Sequence, residues 1–289
     1  MDEVTNPLDR LLDALTAAKL PIGAWAREGV NWTTANLSGP FDALSEGLGA
    51  IIDALLWVLQ TPHPLLVVLA ITALAYALRR SVPIALFTLL GLLLIVNQGY
   101  WEETTETLAL VLAATVVCMA LGVPLGIAAA RREWVYLALR PVLDLMQTIP
   151  AFVYLIPALI LFGLGMVPGL VATVIFALPA PIRLTRLGIA STPKGLEEAA
   201  RAFGATSWQR LVKVELPHAM PQIVAGLTQT IMLSLSMVVI AALVGADGLG
   251  VPTLRALNRV DSGMGFEVGV AIVILAIVLD RLFKSEPIK

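Results

Sequence analysis

From residue 64 onward the chain is a succession of apolar runs, each close in length to what a bilayer requires. A helix needs about 20 predominantly apolar residues to cross the hydrocarbon core. In lipid every backbone polar group must be satisfied internally, so runs of this length and composition span as helices. Seven segments are predicted: 64–79, 82–98, 104–130, 141–163, 166–187, 218–244 and 265–283. The fold class that follows is all-α, a polytopic membrane helix bundle. Composition agrees, since 58% of the 289 residues are hydrophobic and 14% charged, against about 45–50% and about 25% in soluble domains. Mean hydropathy is +0.87. A soluble enzyme and a disordered chain are excluded on these grounds. A net charge of −2 leaves no basic surface for nucleic acid.

The basic residues orient the bundle, because lysine and arginine collect on the cytoplasmic side. With Arg79 and Arg80 inside and the spans alternating, Arg131, Arg132, Arg140, Arg183, Arg186, Lys194, Arg201, Arg210, Lys213, Arg281, Lys284 and Lys289 also fall inside. Arg10, Lys19, Arg27, Arg255 and Arg259 fall outside. Fourteen of the 19 basic residues are then cytoplasmic, which selects N-terminus out, C-terminus in and an odd number of spans.

Residues 1–63 are read as an extracytoplasmic or interfacial segment. The stretch FDALSEGLGAIIDALLWVLQ has apolar residues at helical spacing, interrupted by Asp42, Glu46 and Asp53. That pattern suits an amphipathic helix lying in the interface; a short eighth span is the alternative. Trp25, Trp32 and Trp57 fit interfacial anchoring or ordinary packing. The first residues are acidic and have no continuous apolar core, so no cleaved signal peptide is expected. The single cysteine, Cys118, lies in an apolar run and reads as a small buried hydrophobe. Neither His63 nor His218 has a partner pattern, and no metal site is expected.

The remaining informative stretch is the polar connection 191–217, STPKGLEEAARAFGATSWQRLVKVELP. Ser191 or Thr192 can cap a helix, Pro193 fits its first turn, and Glu197 and Glu198 favour its positive end. Gly204 breaks the helix, and a second begins near Thr206 or Ser207. Pro217 is expected to end that second helix before the next span. A helix–glycine–helix element held outside the membrane serves either as a docking surface or as a solvated hairpin joining two spans.

Glu198-Ala199-Ala200, three residues, Gly204, nine residues, Val214, one residue and Leu216-Pro217 resemble the EAA loop of ABC importer permeases, with Val214 where the pattern expects isoleucine. The segments DLMQTIPAFVYLIP (144–157), FALPAPIRLTRLGI (176–189) and LSMVVIAALVGADGLG (235–250) look like the glycine betaine/choline, quaternary-amine uptake group. The similarity runs from about residue 100 to 283.

The resemblance implies a type I importer (MetI-like) permease fold, with two peripheral helices at 64–98 and a core at 99–289 holding the coupling loop at 191–217. It implies a multi-pass protein of the bacterial cytoplasmic membrane that moves solute by alternating access. Glu198, Ala199, Ala200, Gly204, Leu216 and Pro217 would couple to the ATPase. The implied partners are two ATPase subunits, a second copy of this permease and an extracytoplasmic binding protein. The last is expected to be separate, because the chain ends a few residues past the final span. No cofactor is expected here: the chain lacks the phosphate-cradling GxxxxGK[ST] pattern, so ATP and Mg belong to the partner ATPase. No catalytic residue is assigned.

A translocation path is harder to read. Prolines 141, 150 and 157 interrupt the fourth segment, and Gln147 and Thr148 sit beside the break. Such breaks are tolerated where protein or water satisfies the freed carbonyls. Gln229 and Ser236 share a helical face of the sixth segment; Thr230 and Ser234 are also four apart. These groups either line the path or hydrogen-bond between helices. Phe152 and Tyr154 offer aromatic faces to a quaternary ammonium, or pack in the core. Asp144, Glu267 and Asp280 lie within or at the ends of spans, where charge is expensive. Glycines 245, 248 and 250 suit an outward-facing turn. An importer of another small solute, such as methionine, is the near rival. An ion-coupled carrier lacks support from the EAA pattern, and an intramembrane enzyme lacks a converging set of reactive groups.

Overall fold

The computed structural model describes residues 19–283, together with residues 12, 13 and 16. Arg10, Lys284, Lys289 and most of the first 18 residues lie outside the described residues. Among those described, the chain is helical throughout, in the order α1 (Ile22–Gln60), α2 (Pro64–Arg79), α3 (Val82–Asn97), α4 (Trp101–Arg131), α5 (Glu133–Thr148), α6 (Ala151–Phe162), α7 (Met166–Ala177), α8 (Pro179–Ala190), α9 (Lys194–Ala202), α10 (Ser207–Arg210), a π-helical turn (Leu211–Glu215), α11 (Leu216–Ala241), α12 (Gly250–Arg259) and α13 (Ser262–Phe283).

Four runs are long and apolar enough to cross a membrane: Trp101–Arg131, Met166–Ala190, Ser207–Val244 and Ser262–Phe283. They correspond to four of the seven expected segments. The segment 82–98 is the shorter helix α3. The segment 64–79 is α2, bent by 101° from α1.

The segment 141–163 is not one straight span. It divides into α5 and α6, which meet at 100°. The cause is local. A residue before proline is pushed out of the helical region, and Ile149 is extended at φ −69°, ψ 128°, as is Pro150 at φ −54°, ψ 135°. Pro157 is absorbed inside α6.

The core is built on α4, α8 and α11, which pack on one another, with α7 against α11. Large aliphatics close the space between α4, α11 and α13, with Ile231, Leu249 and Val268 fully buried. Cys118 is also fully buried and donates weakly to the Val174 carbonyl, as expected of a small apolar residue.

Helix α1 departs from helical geometry at Leu37, just before Pro40. Its second half packs on the bundle through Leu48, Ile52 and Leu59, and Gln60 donates to Thr105 Oγ1 at 2.9 Å. Phe41 meets the Phe162 ring edge-on. Phe162, Val167 and Thr105 belong to one end of the bundle, and α1 crosses that end. Trp25, Trp32 and Trp57 are exposed. At the same end, positive φ at Gly245 and Gly248 forms the expected turn, while Gly250 starts a helix, α12, inside the expected outward loop.

Candidate functional site

The 191–217 stretch folds as two short helices at the opposite end of the bundle. Helix α9 buries none of its residues. It ends in a Schellman motif, in which the Ala205 N–H reaches the Ala200 carbonyl (3.0 Å) and the Gly204 N–H reaches the Arg201 carbonyl (2.9 Å). This closure places the residue after the cap in the left-handed region, and Gly204 has φ +74°. A Cβ on Gly204 would meet nothing within 4 Å. Glycine is therefore needed for the bend, not for space. Helix α10 opens with a capping box: Gln209 N–H donates to Thr206 Oγ1 (3.3 Å) and Thr206 N–H to Gln209 Oε1 (2.9 Å).

Two expectations fail here. Neither Ser191 nor Thr192 caps α9; the cap position is Pro193, without a side-chain bond, and the Ser191 hydroxyl donates to the Gly188 carbonyl. Pro193 has φ −57° and ψ 129°, and a residue before proline avoids the helical region, so Thr192 cannot begin the helix.

Pro217 does not end the second helix. It lies in a run that is helical from Ser207 to Val244. A proline lacks an N–H and its ring collides with the carbonyl four residues back. The chain widens to a π turn over Leu211–Glu215, where the Leu216 N–H bonds the Leu211 carbonyl. The second helix of the loop is thereby continuous with α11.

Glu198 and Ala199 are exposed, Ala200 is half-buried, Leu216 packs with Ile189, Leu211 and Ala219, and Pro217 is exposed. Phe203 is 91% exposed and Trp208 69% exposed, flanking the bend. Two exposed aromatics beside an unburied helix form an apolar surface that is costly to leave in water. Sequence reasoning missed both.

It also missed Glu215. The carboxylate accepts from Arg210 Nε at 2.7 Å and Arg131 Nε at 3.4 Å, and Arg131 also donates to the Ser207 carbonyl at 2.6 Å. The spacing offered a signal: Leu211, Glu215, Ala219 and Ile223 follow each other at four residues, and all four are buried. Glu215 is the charge in an apolar stripe.

The path candidates do not form one site. Gln147 accepts from Arg183 Nη1 (2.7 Å), while Arg183 Nη2 binds Asp144 (2.6 Å), so Gln147 is held at the α5–α6 elbow beside exposed Thr148. Phe152 is exposed, but Tyr154 is buried with Leu155, Ala172, Met237 and Val244. Gln229 lines a groove of about 490 Å³ with Thr228, Met232 and Asp280. Ser236 is exposed and bonds its own helix at Met232. Thr230 and Ser234 also bond their own backbone, at Gly226 and Thr230. Neither bridges helices, because a buried hydroxyl can satisfy itself on the carbonyl four residues back.

His63 accepts from the Leu65 N–H at the start of α2, and His218 lies 3.5 Å from Ser191 Oγ. No group of three or more His, Cys, Asp or Glu side chains that could hold a metal occurs among the described residues.

Residues 122–284 match the family model described as "Binding-protein-dependent transport system inner membrane component". The chain belongs to this family. As a binding-protein-dependent transport component it is a multi-pass inner-membrane permease, and the match contains the whole 191–217 loop. Among its relatives, the glycine betaine transport system permease protein OpuAB of Bacillus subtilis is 47% identical over 94% of this chain and 96% of its own length. The glycine betaine/carnitine transport permease protein GbuB of Listeria monocytogenes is 46% identical over 92% and 95%. The glycine betaine/proline betaine permease protein ProW of Escherichia coli is 44% identical over 95% and 77%. The fold is similar to that of a chain of the MetNI methionine ABC transporter, solved in an inward-facing conformation, with TM-score 0.57 and 25% identity over 65% of this chain and 91% of that one. Binding-protein-dependent permeases of this kind work with an ATPase and a binding protein, and α9, which buries none of its residues, leaves an exposed surface at this end of the bundle.

Proposed function

We propose that this permease carries glycine betaine or a related quaternary amine inward, driven by ATP hydrolysed on a separate ATPase. The observation that carries the coupling role is the α9–α10 element. It buries nothing on α9, bends at Gly204, and runs through the π turn into α11. A partner that grips this element acts on a bundle helix without a flexible joint between them. Glu198, Ala199, Ala200 and Gly204 shape the contact, and Leu216 and Pro217 join it to the bundle.

The substrate class rests on the relatives. The three quaternary-amine permeases are 44–47% identical over more than nine-tenths of this chain, whereas the methionine transporter chain is 25% identical over 65% of it. The assembly is two copies of the permease and two ATPase subunits, served by a separate extracytoplasmic binding protein; a two-fold pair is the simplest closed arrangement. ATP and Mg bind the ATPase. Transport is a switch between packed states with different ligand contacts. Phe152 supplies a transient aromatic face, and Gln147, Thr148, Gln229 and Ser236 line the path; Tyr154 serves as packing behind it. The loop end faces the cytoplasm, α1 lies along the outer surface with Trp25, Trp32 and Trp57 as anchors, and the N-terminus is outside.

The test is ATP hydrolysis by the reconstituted assembly, with binding protein loaded with glycine betaine, choline or methionine. Stimulation by either quaternary amine supports the assignment. Stimulation by methionine alone would overturn the substrate class.

A further inference from the structure

We infer that Glu215 and Arg131 are positioning residues of the transport cycle, whose part-buried ionic link ties the coupling element to the end of α4. The inference rests on the proposed coupling role of α9–α10. That element is joined by the chain to α8 and, through the π turn, to α11. It has no chain connection to α4. Arg131, the last residue of α4, links the two through its side chain: it donates to Glu215 in the π turn and to the Ser207 carbonyl at the start of α10. The Glu215 side chain is 5% exposed, with one oxygen held by each arginine.

The surroundings show why this link matters. Elsewhere the seam is apolar, with Ile127 and Ala130 of α4 against Ile189, Leu211 and Ala219. A buried ion pair is a poor source of stability compared with well-packed apolar groups of the same volume. What it supplies is direction: a carboxylate between two guanidinium forks has few arrangements of equal energy. Beside the link the loop and the helix ends enclose a cleft of about 780 Å³, lined by Pro124, Arg132, Ile189 and Glu197 as well as by the three linked residues. The loop is therefore not packed solidly onto α4, and the link bridges the side of that space. Glu215 also occupies the one position between Val214 and Leu216-Pro217 that the loop pattern leaves open.

Movement of α9–α10 then reaches α4 as well as α11, and the helices turn together. The experiment compares wild type with Glu215→Gln, Arg131→Met, the double variant and Arg131→Lys in liposomes holding the full assembly. It reads solute moved per ATP hydrolysed, alongside melting temperature. Expected is retained ATPase binding and hydrolysis, with the ratio falling about tenfold in each of the first two variants and no further in the double variant. Arg131→Lys keeps the charge but loses the two separate guanidinium nitrogens that serve Glu215 and Ser207, and falls between. A wild-type ratio in Glu215→Gln or Arg131→Met, with only the melting temperature lowered, would make the link a mere brace and overturn the inference. So would losses that multiply in the double variant. Should Glu215→Gln not fold, a wild-type ratio in Arg131→Met decides against it. Absence of ATP-driven uptake in wild type would instead strike the proposed function.

Discussion

Gly126 of α4 lies against Thr185 of α8 so closely that a Cβ on the glycine would stand 2.6 Å from Thr185 Cβ and 2.8 Å from the Ile182 carbonyl oxygen. One turn earlier, a Cβ on Gly122 would stand 2.7 Å from Pro181 Cγ. Small residues let membrane helices approach to backbone contact, and this pair of turns sets the distance between the two central helices. Gly126→Leu forces them apart and is expected to cost about 1–3 kcal/mol. A clear drop in melting temperature in detergent is the expected readout; an unchanged value would show the contact to be slack.

Gly204 makes a different demand. Its φ of +74° is open to glycine, tolerated by asparagine and strained for β-branched residues. Nothing lies near its Cβ position, so the order of effects follows backbone conformation and not side-chain size. Gly204→Val should reach the membrane at wild-type levels yet lose most ATP-driven uptake, and Gly204→Asn should retain more. Equal uptake in the two variants would contradict this.

Phe203 and Trp208 are exposed on either side of that bend. Their replacement by alanine removes little internal packing, so stability should change by less than about 0.5 kcal/mol each. Buried aromatics dominate many interfaces, at about 2 kcal/mol or more each. Affinity for the ATPase, measured by titration in detergent, should therefore fall well over tenfold for the pair. Unaltered affinity would place the docking surface elsewhere.

Sidedness can be read with single cysteines, because Cys118 is fully buried and should resist water-soluble maleimides. Lys194 and Asn258 are exposed at opposite ends of the bundle. In intact cells an impermeant maleimide should label Asn258→Cys and leave Lys194→Cys untouched until the membrane is opened. The reverse pattern would invert the orientation drawn from the arginines.

Much of this arrangement was legible because long apolar runs act over many residues. The continuous spans, the Gly204 bend and the start of α10 all rest on such signals or on fixed local chemistry. The elbow at Ile149–Pro150 was marked by its proline, but proline signals a break without its angle; Pro157, in the same segment, is accommodated within α6. Pro217 misled for a related reason. A π turn takes up its missing donor, and whether a helix stops or widens depends on what the far side packs against. Glu215 was visible only to someone extending the α11 stripe backward across the π turn. Its two arginine partners, one of them 84 residues away, are a product of the tertiary fold. The path residues were scattered because small hydroxyls such as Thr230 and Ser234 satisfy themselves within one helix, which composition does not distinguish from a bridge between two.

The most direct test is uptake of labelled glycine betaine into proteoliposomes that hold this permease, its ATPase and its binding protein, with ATP supplied or withheld inside the assay. Accumulation that requires ATP, and that is mostly lost in Gly204→Val although the protein is present, is the expected result. Accumulation without ATP, or at full rate in that variant, would contradict an ATP-driven permease coupled through the α9–α10 element.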